Sequence, residues 1–419
     1  MPALRQTAAT LAVCLLVFGA TAAGADPTPA QRRIEAARGA VAARPEAAAY
    51  NDLALALAQR ARETADPDFY DQAQQALQRS LQLAPGNFGA RKIGVWVLLG
   101  QHEFARALDE ARALNRAMPD DLQVYGFLVD ANAELGRYDA AEEAAQWMLD
   151  LRPGNVPALT RAAYLRELFG DVEGALDLMG QAYGRIPVNE VEDRAWILAQ
   201  VAHLQLSIGD TKRAEAACLE ALRLFPDYHY ALGQLANVRL AQGRASEAVA
   251  LQQQRYRAAP HPENLFELAR AMARAGRPRE AGSAFREFER AARAEMGGAD
   301  NANRELVLYY VDHAQRPAVA LQVAELEAGR RHDLYTRAAH AWALSANGRH
   351  AQARRQIDEA LAVGVKDADL YYRAALIAWR QGDSESVRRY ANRSLQISPV
   401  AANAEDARRL ARRLSATSR

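Results

Sequence analysis

The chain has 419 residues, of which 50% are hydrophobic and 25% are charged, and its formal net charge at pH 7 is +1. A charge balance this close to zero produces no strong field toward phosphate backbones or anionic lipids, so we expect no nucleic-acid partner. The length would suit two or three compact domains, unless internal repeats replace the usual single core.

Residues 1–25 have the features of a secretory signal peptide. Arg5 precedes an apolar stretch at 11–20, and the small residues Ala23-Gly24-Ala25 follow it. A basic start, a short apolar core and a small-x-small site are typical of a segment that is removed on secretion. We therefore expect a mature chain that starts near Asp26, lies in the periplasm and has no stable membrane span.

An N-terminal segment at 26–45 contains the start of the first helix, and repeats are predicted from residue 46 onward. Two early copies carry small or apolar residues and end in proline: Ala73, Leu77 and Pro85 in one, and Phe104, Ala107 and Pro119 in the next. The segment Ala61–Asp71 of the first copy contains Asp66-Pro67, which predicts an extended turn between its two helices.

From residue 120 onward a glycine recurs at a nearly fixed interval. The interval is 34 residues between Gly136 and Gly170, and 33 residues between Gly243 and Gly276. The full series is Gly136, Gly170, Gly209, Gly243, Gly276, Gly348 and Gly382. A period of about 20 to 50 residues predicts a solenoid of stacked repeats, in which each repeat contacts its neighbours along the chain.

Each glycine stands between two segments that have small or apolar residues at helical spacing. The residues five after the glycine are Ala141, Ala175, Ala214, Ala248, Ala281, Ala353 and Val387. The residues seven before it are Val129, Ala163, Ala202, Ala236, Ala269, Ala341 and Ala375. Seventeen residues after the glycine, most copies have proline: Pro153, Pro187, Pro226, Pro260 and Pro399. This pattern predicts two amphipathic helices per repeat, the first closed by a left-handed glycine and the second ended by proline.

The pattern resembles the tetratricopeptide repeat family. The resemblance implies an all-α protein: a right-handed superhelical solenoid of about ten helix-turn-helix repeats, which occupy 46–296 and 304–400. Residues 401–419 would form a capping helix and a basic tail. The run Gly297-Gly298-Ala299-Asp300 replaces the expected proline ending, so 297–303 is predicted to be a break or hinge. The following copy has Arg316-Pro317 near the place of its glycine.

The resemblance also implies that the first helix of each repeat lines a concave groove. The candidate partner-binding residues on that face are Asp130, Tyr164, Trp196, His203, Asn237, Arg270 and Trp342. Aromatic and arginine side chains dominate binding hot spots, so an exposed row of this kind would suit an extended peptide. The alternative is that these aromatic residues only fill the interior of the superhelix. The basic clamp with which some family members hold acidic peptide ends is absent, because Glu263 and Glu267 follow Asn237 where basic residues would be required.

The chain lacks the sequence motifs of common catalytic sites. It has no Gly-Lys-Ser/Thr phosphate loop, no Gly-x-Ser-x-Gly elbow and no His-Glu-x-x-His zinc motif. We therefore expect no catalytic, cofactor-binding or metal-binding residues. The resulting hypothesis is a non-catalytic, secreted scaffold that binds a protein or peptide partner in its groove. The alternative hypothesis is an accessory protein of envelope polysaccharide export or assembly.

Overall fold

A computed structural model describes residues 27–416, which form helices joined by short loops and contain no strand. The predicted signal peptide at 1–25 lies outside the described residues. The helices of the described range are α1 (Pro29–Ala43), α2 (Ala47–Thr64), α3 (Asp68–Leu83), α4 (Phe88–Gly100), α5 (Phe104–Ala117), α6 (Leu122–Glu134), α7 (Tyr138–Leu151), α8 (Val156–Leu168), α9 (Val172–Tyr183), α10 (Val191–Ser207), α11 (Thr211–Leu224), α12 (His229–Ala241), α13 (Ala245–Ala258), α14 (Pro262–Arg274), α15 (Pro278–Glu295), α16 (Asn303–Asp312), α17 (Pro317–Ala328), α18 (Leu334–Ala346), α19 (His350–Ala362), α20 (Ala368–Arg380), α21 (Ser384–Ile397) and α22 (Ala404–Ala416).

Helices α2 to α21 pack as consecutive helix hairpins, and each hairpin also packs against the next. We number them from hairpin 1, formed by α2 and α3, to hairpin 10, formed by α20 and α21. Helix α1 packs against α2 at one end, and α22 packs against α21 at the other. The all-α solenoid predicted from the sequence is confirmed, because stacked hairpins bury their apolar faces against one another.

The repeated glycines and small residues take the places that the sequence predicts for them. All seven glycines of the series have positive φ angles, between 71° and 84°. The alanines five residues after them are buried, including Ala141 and Ala248, which are 0% exposed. A residue without bulk at this position lets the two helices of a hairpin approach closely.

Three hairpin turns use a residue other than glycine in the left-handed conformation, and in hairpin 2 this residue is His102, with φ 58°. In hairpin 8 this residue is Gln315, with φ 54°, and Pro317 opens the following helix. In hairpin 1 it is Ala65, with φ 51°, directly after the end of α2. The extended turn predicted at Ala61–Asp71 is therefore wrong: α2 runs to Thr64 and α3 begins at Asp68, because Ala65 closes one helix and Pro67 caps the next.

The predicted break after α15 is held by polar side chains. The side-chain amide of Asn301 donates to the carbonyl of Gly298 over 3.0 Å. Arg330, just after α17, donates to the carbonyls of Gly297 and Gly298, each over 2.7 Å. These bonds fix the path of the loop in the structure, and a hinge motion at 297–303 stays a prediction.

Hairpins that are far apart in the chain contact each other, because the superhelix coils back on itself. The amide of Leu334 donates to the hydroxyl of Tyr138 over 2.9 Å. The turns of hairpins 3, 4 and 5 lie against the loops that precede hairpin 9, hairpin 10 and α22, so one superhelical turn takes about six hairpins. The expectation that a repeat contacts only its chain neighbours is therefore wrong for this part of the molecule.

Glycines in these turns make the contact between superhelical turns possible. A Cβ atom built on Gly136 would lie 2.4 Å from the carbonyl oxygen of His332, and one on Gly170 would lie 2.4 Å from that of Gly364. A Cβ atom on Gly276 would have no heavy atom within 4 Å. Gly136 and Gly276 have the same φ, 71°, so they differ in their surroundings and not in backbone conformation.

We predict that Gly136→Ala destabilises the protein more than Gly276→Ala. Both variants force alanine into the left-handed region, which costs about 1–2 kcal/mol. Gly136→Ala adds a steric conflict with the next superhelical turn, and overpacking of this kind costs about 1–3 kcal/mol. Chemical denaturation measures the free energy of unfolding of both variants. An equal decrease in the two would show that the superhelical turns are not in tight contact at Gly136.

Candidate functional site

Residues on the inner face of the superhelix form a ladder of hydrogen bonds between neighbouring hairpins. The hydroxyl of Tyr164 donates to Glu134 over 3.2 Å. His203 and Glu167 lie 2.7 Å apart, between ring Nε2 and carboxylate oxygen. The indole of Trp342 donates to Asp312 over 2.8 Å. In each case the predicted groove residue bonds to an acidic residue of the preceding hairpin, so its polar group is already occupied.

Asp130 and Arg270 are also paired, and Trp196 is packed. Arg161 of hairpin 4 reaches Asp130 over 2.6 Å, and Arg270 reaches Glu267 on its own helix over 2.9 Å. Trp196 packs against the apolar clusters of hairpins 4 and 5. In the described structure, Asp130 and Arg270 are in ion pairs and the Trp196 ring is in contact with apolar side chains.

Trp342 does not lie on an exposed groove surface, which corrects the expectation from the sequence. Its side chain is buried, with 3% exposure, and belongs to the largest apolar cluster. The guanidinium of Arg380 lies 4.2 Å from its ring centroid and covers one face. Trp342 is buried because Asp312 supplies the acceptor that its indole needs, and for this residue the interior-filling alternative is correct.

Asn237 is the predicted groove residue at which the ladder is interrupted. It lies six residues before Gly243, as His203 lies six before Gly209. In hairpin 5, which precedes the hairpin of Asn237, the position equivalent to Glu167 is occupied by Leu206. The Leu206 side chain has no hydrogen-bond acceptor. Within residues 27–416, the Asn237 side chain makes no hydrogen bond. A polar side chain on the inner face is therefore left available at this step.

A cavity of about 290 Å³ opens beside Asn237, between the two superhelical turns. His203, Asn237 and Arg270 line one wall, so the structure brings together three of the seven predicted site residues. The opposite wall comes from Tyr335 and from the loops at 365–369 and 398–402. A cavity of this size is near the lower end of those that bind ligands, and suits a few side chains or a short segment.

The loop before α20 adds charged groups that the sequence did not predict. Lys366 and Asp369 line the cavity and make no ion pair within the described range. Asp367 accepts a hydrogen bond from the amide of Leu370 over 2.9 Å and thereby caps α20. Burial, with a smaller contribution from the neighbouring Asp369, raises the pKa of the Asp367 carboxyl. One signal in the sequence was available: Val365 stands seventeen residues after Gly348, where other copies have proline.

A family model for the tetratricopeptide repeat matches the chain at 94–156, 201–264 and 338–402. These segments include the hairpin turns at Gly136, Gly209, Gly243, Gly348 and Gly382. The chain contains tetratricopeptide repeats in these three segments. Among curated proteins no sequence matches it. Tetratricopeptide repeats generally bind protein partners, and this fold suggests a scaffold for protein interaction.

Solved structures share the fold at low sequence identity. The human IFIT1 dimer with PPP-AAAA is 11% identical, with 89% of this chain and 96% of that chain covered and a TM-score of 0.50. PilW, a type IV pilus biogenesis factor, is 12% identical over 49% of this chain and 93% of its own, with a TM-score of 0.42. Pseudomonas aeruginosa pilF is 13% identical over 48% and 90%, with a TM-score of 0.40. The likeness to the IFIT1 structure concerns the fold alone, and the absence of a nucleic-acid partner stays a prediction.

Among the helices of residues 27–416, none combines the length and the apolar character that a bilayer crossing requires.

We predict that Trp342→Ala and Asn237→Ala have different effects on stability. Removing the buried Trp342 leaves a large cavity, which should lower the free energy of unfolding by about 3–5 kcal/mol. Asn237 makes no bond, so Asn237→Ala should change it by no more than about 0.5 kcal/mol. Thermal or denaturant unfolding measures both, and similar losses would contradict the placement of these two side chains.

We predict that the His203–Glu167 rung contributes stability that depends on pH. Burial opposes protonation of His203, but the bond to Glu167 outweighs it, so the pKa of His203 is raised above 6.5. A raised pKa in the folded state means that the contribution is complete below pH 6.5 and is lost as the pH rises through the folded value. NMR titration should therefore show a lower His203 pKa in Glu167→Gln, and the stability difference between wild type and variant should shrink above neutral pH. If the pKa of His203 were the same in wild type and in Glu167→Gln, the hydrogen bond between His203 and Glu167 would not form in solution.

Proposed function

We propose that this protein is a periplasmic, non-catalytic scaffold that binds a short segment of a protein partner in the cavity beside Asn237. The observation that carries the proposal is the interruption of the inner ladder. At the other steps that we described, the polar groups of the inner face are paired within the chain, whereas Asn237, Lys366 and Asp369 are unpaired and line one cavity.

The location is proposed from the sequence of residues 1–25. A basic residue, an apolar core and a small-x-small site are the features that direct a chain to secretion. The near-neutral charge and the absence of catalytic motifs fit a protein that acts by holding another protein in place.

The peptide-binding role is favoured over a polysaccharide role by the position of the aromatic residues. A sugar chain would need exposed aromatic faces on which to stack. Of the predicted groove residues, Trp342 is buried and Trp196 packs between apolar clusters, while the exposed Trp379 lies outside this cavity. Tyr335 and the imidazole of His203 are the rings that line the cavity, and the rest of the lining consists of charged, amide, hydroxyl and aliphatic groups.

We predict that substitutions in the cavity abolish partner capture without unfolding the protein. The mature chain, used as bait in envelope extract, would be compared with Asn237→Leu and Asp369→Ala, and with Glu142→Ala on the exposed surface of α7 as the control. Loss of a hot-spot contact worth about 1–3 kcal/mol corresponds to a loss of roughly 5- to 150-fold in affinity. A photoreactive residue at position 237 should crosslink to the same partner.

Two results would overturn the proposal. One is capture that persists in both cavity variants while crosslinks form from position 142. The other concerns location: N-terminal sequencing of protein purified from cells should begin near Asp26, and an intact Met1 would contradict a periplasmic role.

A further inference from the structure

The first three helices contact the next superhelical turn through charged groups. Arg62, in the last turn of α2, reaches both Glu192 and Asp193 in the first turn of α10. Its guanidinium lies 2.6 Å from the Asp193 carboxylate. Arg33 of α1 pairs with Glu190 over 2.8 Å. We call helices α1 to α3 the arm, and these two groups of ion pairs the clasp.

The clasp lies over a group of aromatic residues that follows the loop before α12. Tyr228 is 0% exposed and donates through its hydroxyl to Glu192 over 2.6 Å. The ring of His229 bonds to the backbone carbonyl of Arg62 over 3.0 Å. The ring of Tyr230 lies 4.0 Å from that of His229, between centroids. The arm therefore supplies direct partners to this group and covers it.

The apolar core of the arm is separate from that of the turn it covers. One cluster joins Ile34, Leu57 and Leu77 with residues of α4. A different cluster contains Phe225 and Tyr228 with residues of α10. By contrast, hairpins 3 and 4 share one apolar cluster with hairpins 7 to 10 across the superhelical turns. Removal of apolar surface from water stabilises that second joint, whereas the joint at the arm shares no apolar cluster and consists of partly exposed ion pairs and contacts to the aromatic group.

We propose that the arm is a cover that opens at the clasp and uncovers Tyr228, His229 and Tyr230. The Arg62 side chain retains 30% exposure and that of Asp193 47%, whereas that of Glu192 retains 11%, so water and salt reach the Asp193 side of the clasp in the closed state. Opening breaks ion pairs in contact with solvent, and no apolar cluster is shared across the joint that opens. It exposes the start of α12, the same helix that carries Asn237 further along.

This inference does not depend on the partner-binding role. It concerns a change within the chain, and it can be measured on the purified protein with no partner present. Partner capture and arm opening can therefore fail independently of each other.

The test compares amide hydrogen exchange at 228–234 in three variants. Arg62→Ala removes the clasp, and Arg62→Lys retains its charge. Arg223→Ala is the matched control, since it removes an arginine whose 2.6 Å ion pair with Glu220 lies within α11. We expect exchange at 228–234 to rise at least tenfold in Arg62→Ala, less in Arg62→Lys and not at all in Arg223→Ala. Exchange in hairpins 3 and 4 should stay unchanged in all three.

Salt provides a second measurement on the wild type. In about 1 M NaCl the screening length is about 3 Å, so exposed ion pairs are weakened. Exchange at 228–234 should then rise in wild type and approach the rate of Arg62→Ala. The proposal is overturned if Arg62→Ala matches Arg223→Ala at these residues. It is equally overturned if exchange rises to the same extent in hairpins 3 and 4, since the joint at the arm would then not open separately.

Discussion

The left-handed residue at each hairpin turn is the constraint on which the rest of the structure depends. It ends the inner helix and reverses the chain within a few residues, so that two helices pack side by side. Because glycine fills this position in most hairpins, the turn also has no side chain on its outer surface. At Gly136 and Gly170 the backbone of the next superhelical turn lies directly against this side-chain-free backbone. The same glycines therefore both end the inner helices and allow close contact between superhelical turns.

The coiling in turn determines what the inner face can do. Once two superhelical turns are in contact, the concave surface is no longer an open groove along its length. The acidic residues near the ends of the inner helices bond to the next hairpin, as Glu167 does to His203. The inner face is then largely internal structure, and a site remains only where a pairing fails. A protein of this architecture can present a localised site even though its scaffold is repetitive.

The parts of the fold that depend on local sequence could be predicted. The glycines and the alanines five residues after them are read directly from their spacing, and they occupy the expected places. Gln315 could not be assigned from the sequence, because a non-glycine residue in the left-handed region gives no distinctive signal. The contacts between turns were also beyond prediction, since they follow from small rotations between hairpins that accumulate over six of them. For the same reason the burial of Trp342 and the role of the 365–369 loop became visible only in three dimensions.

The presence of Leu206 where its counterpart in hairpin 4 is Glu167 has a consequence for how such proteins diversify. One apolar residue at this position is enough to leave an amide without a partner, and so to create the point of recognition that we propose. Replacing the acidic residue of another ladder pair by an apolar residue would leave an unpaired polar group in that hairpin. An acidic residue in place of Leu206 would pair with Asn237 and remove the proposed site. Recognition could thus migrate along the superhelix by single substitutions while the backbone stays the same. In a repeat scaffold of this kind, the residues that determine the proposed binding site are distinct from those that determine the fold.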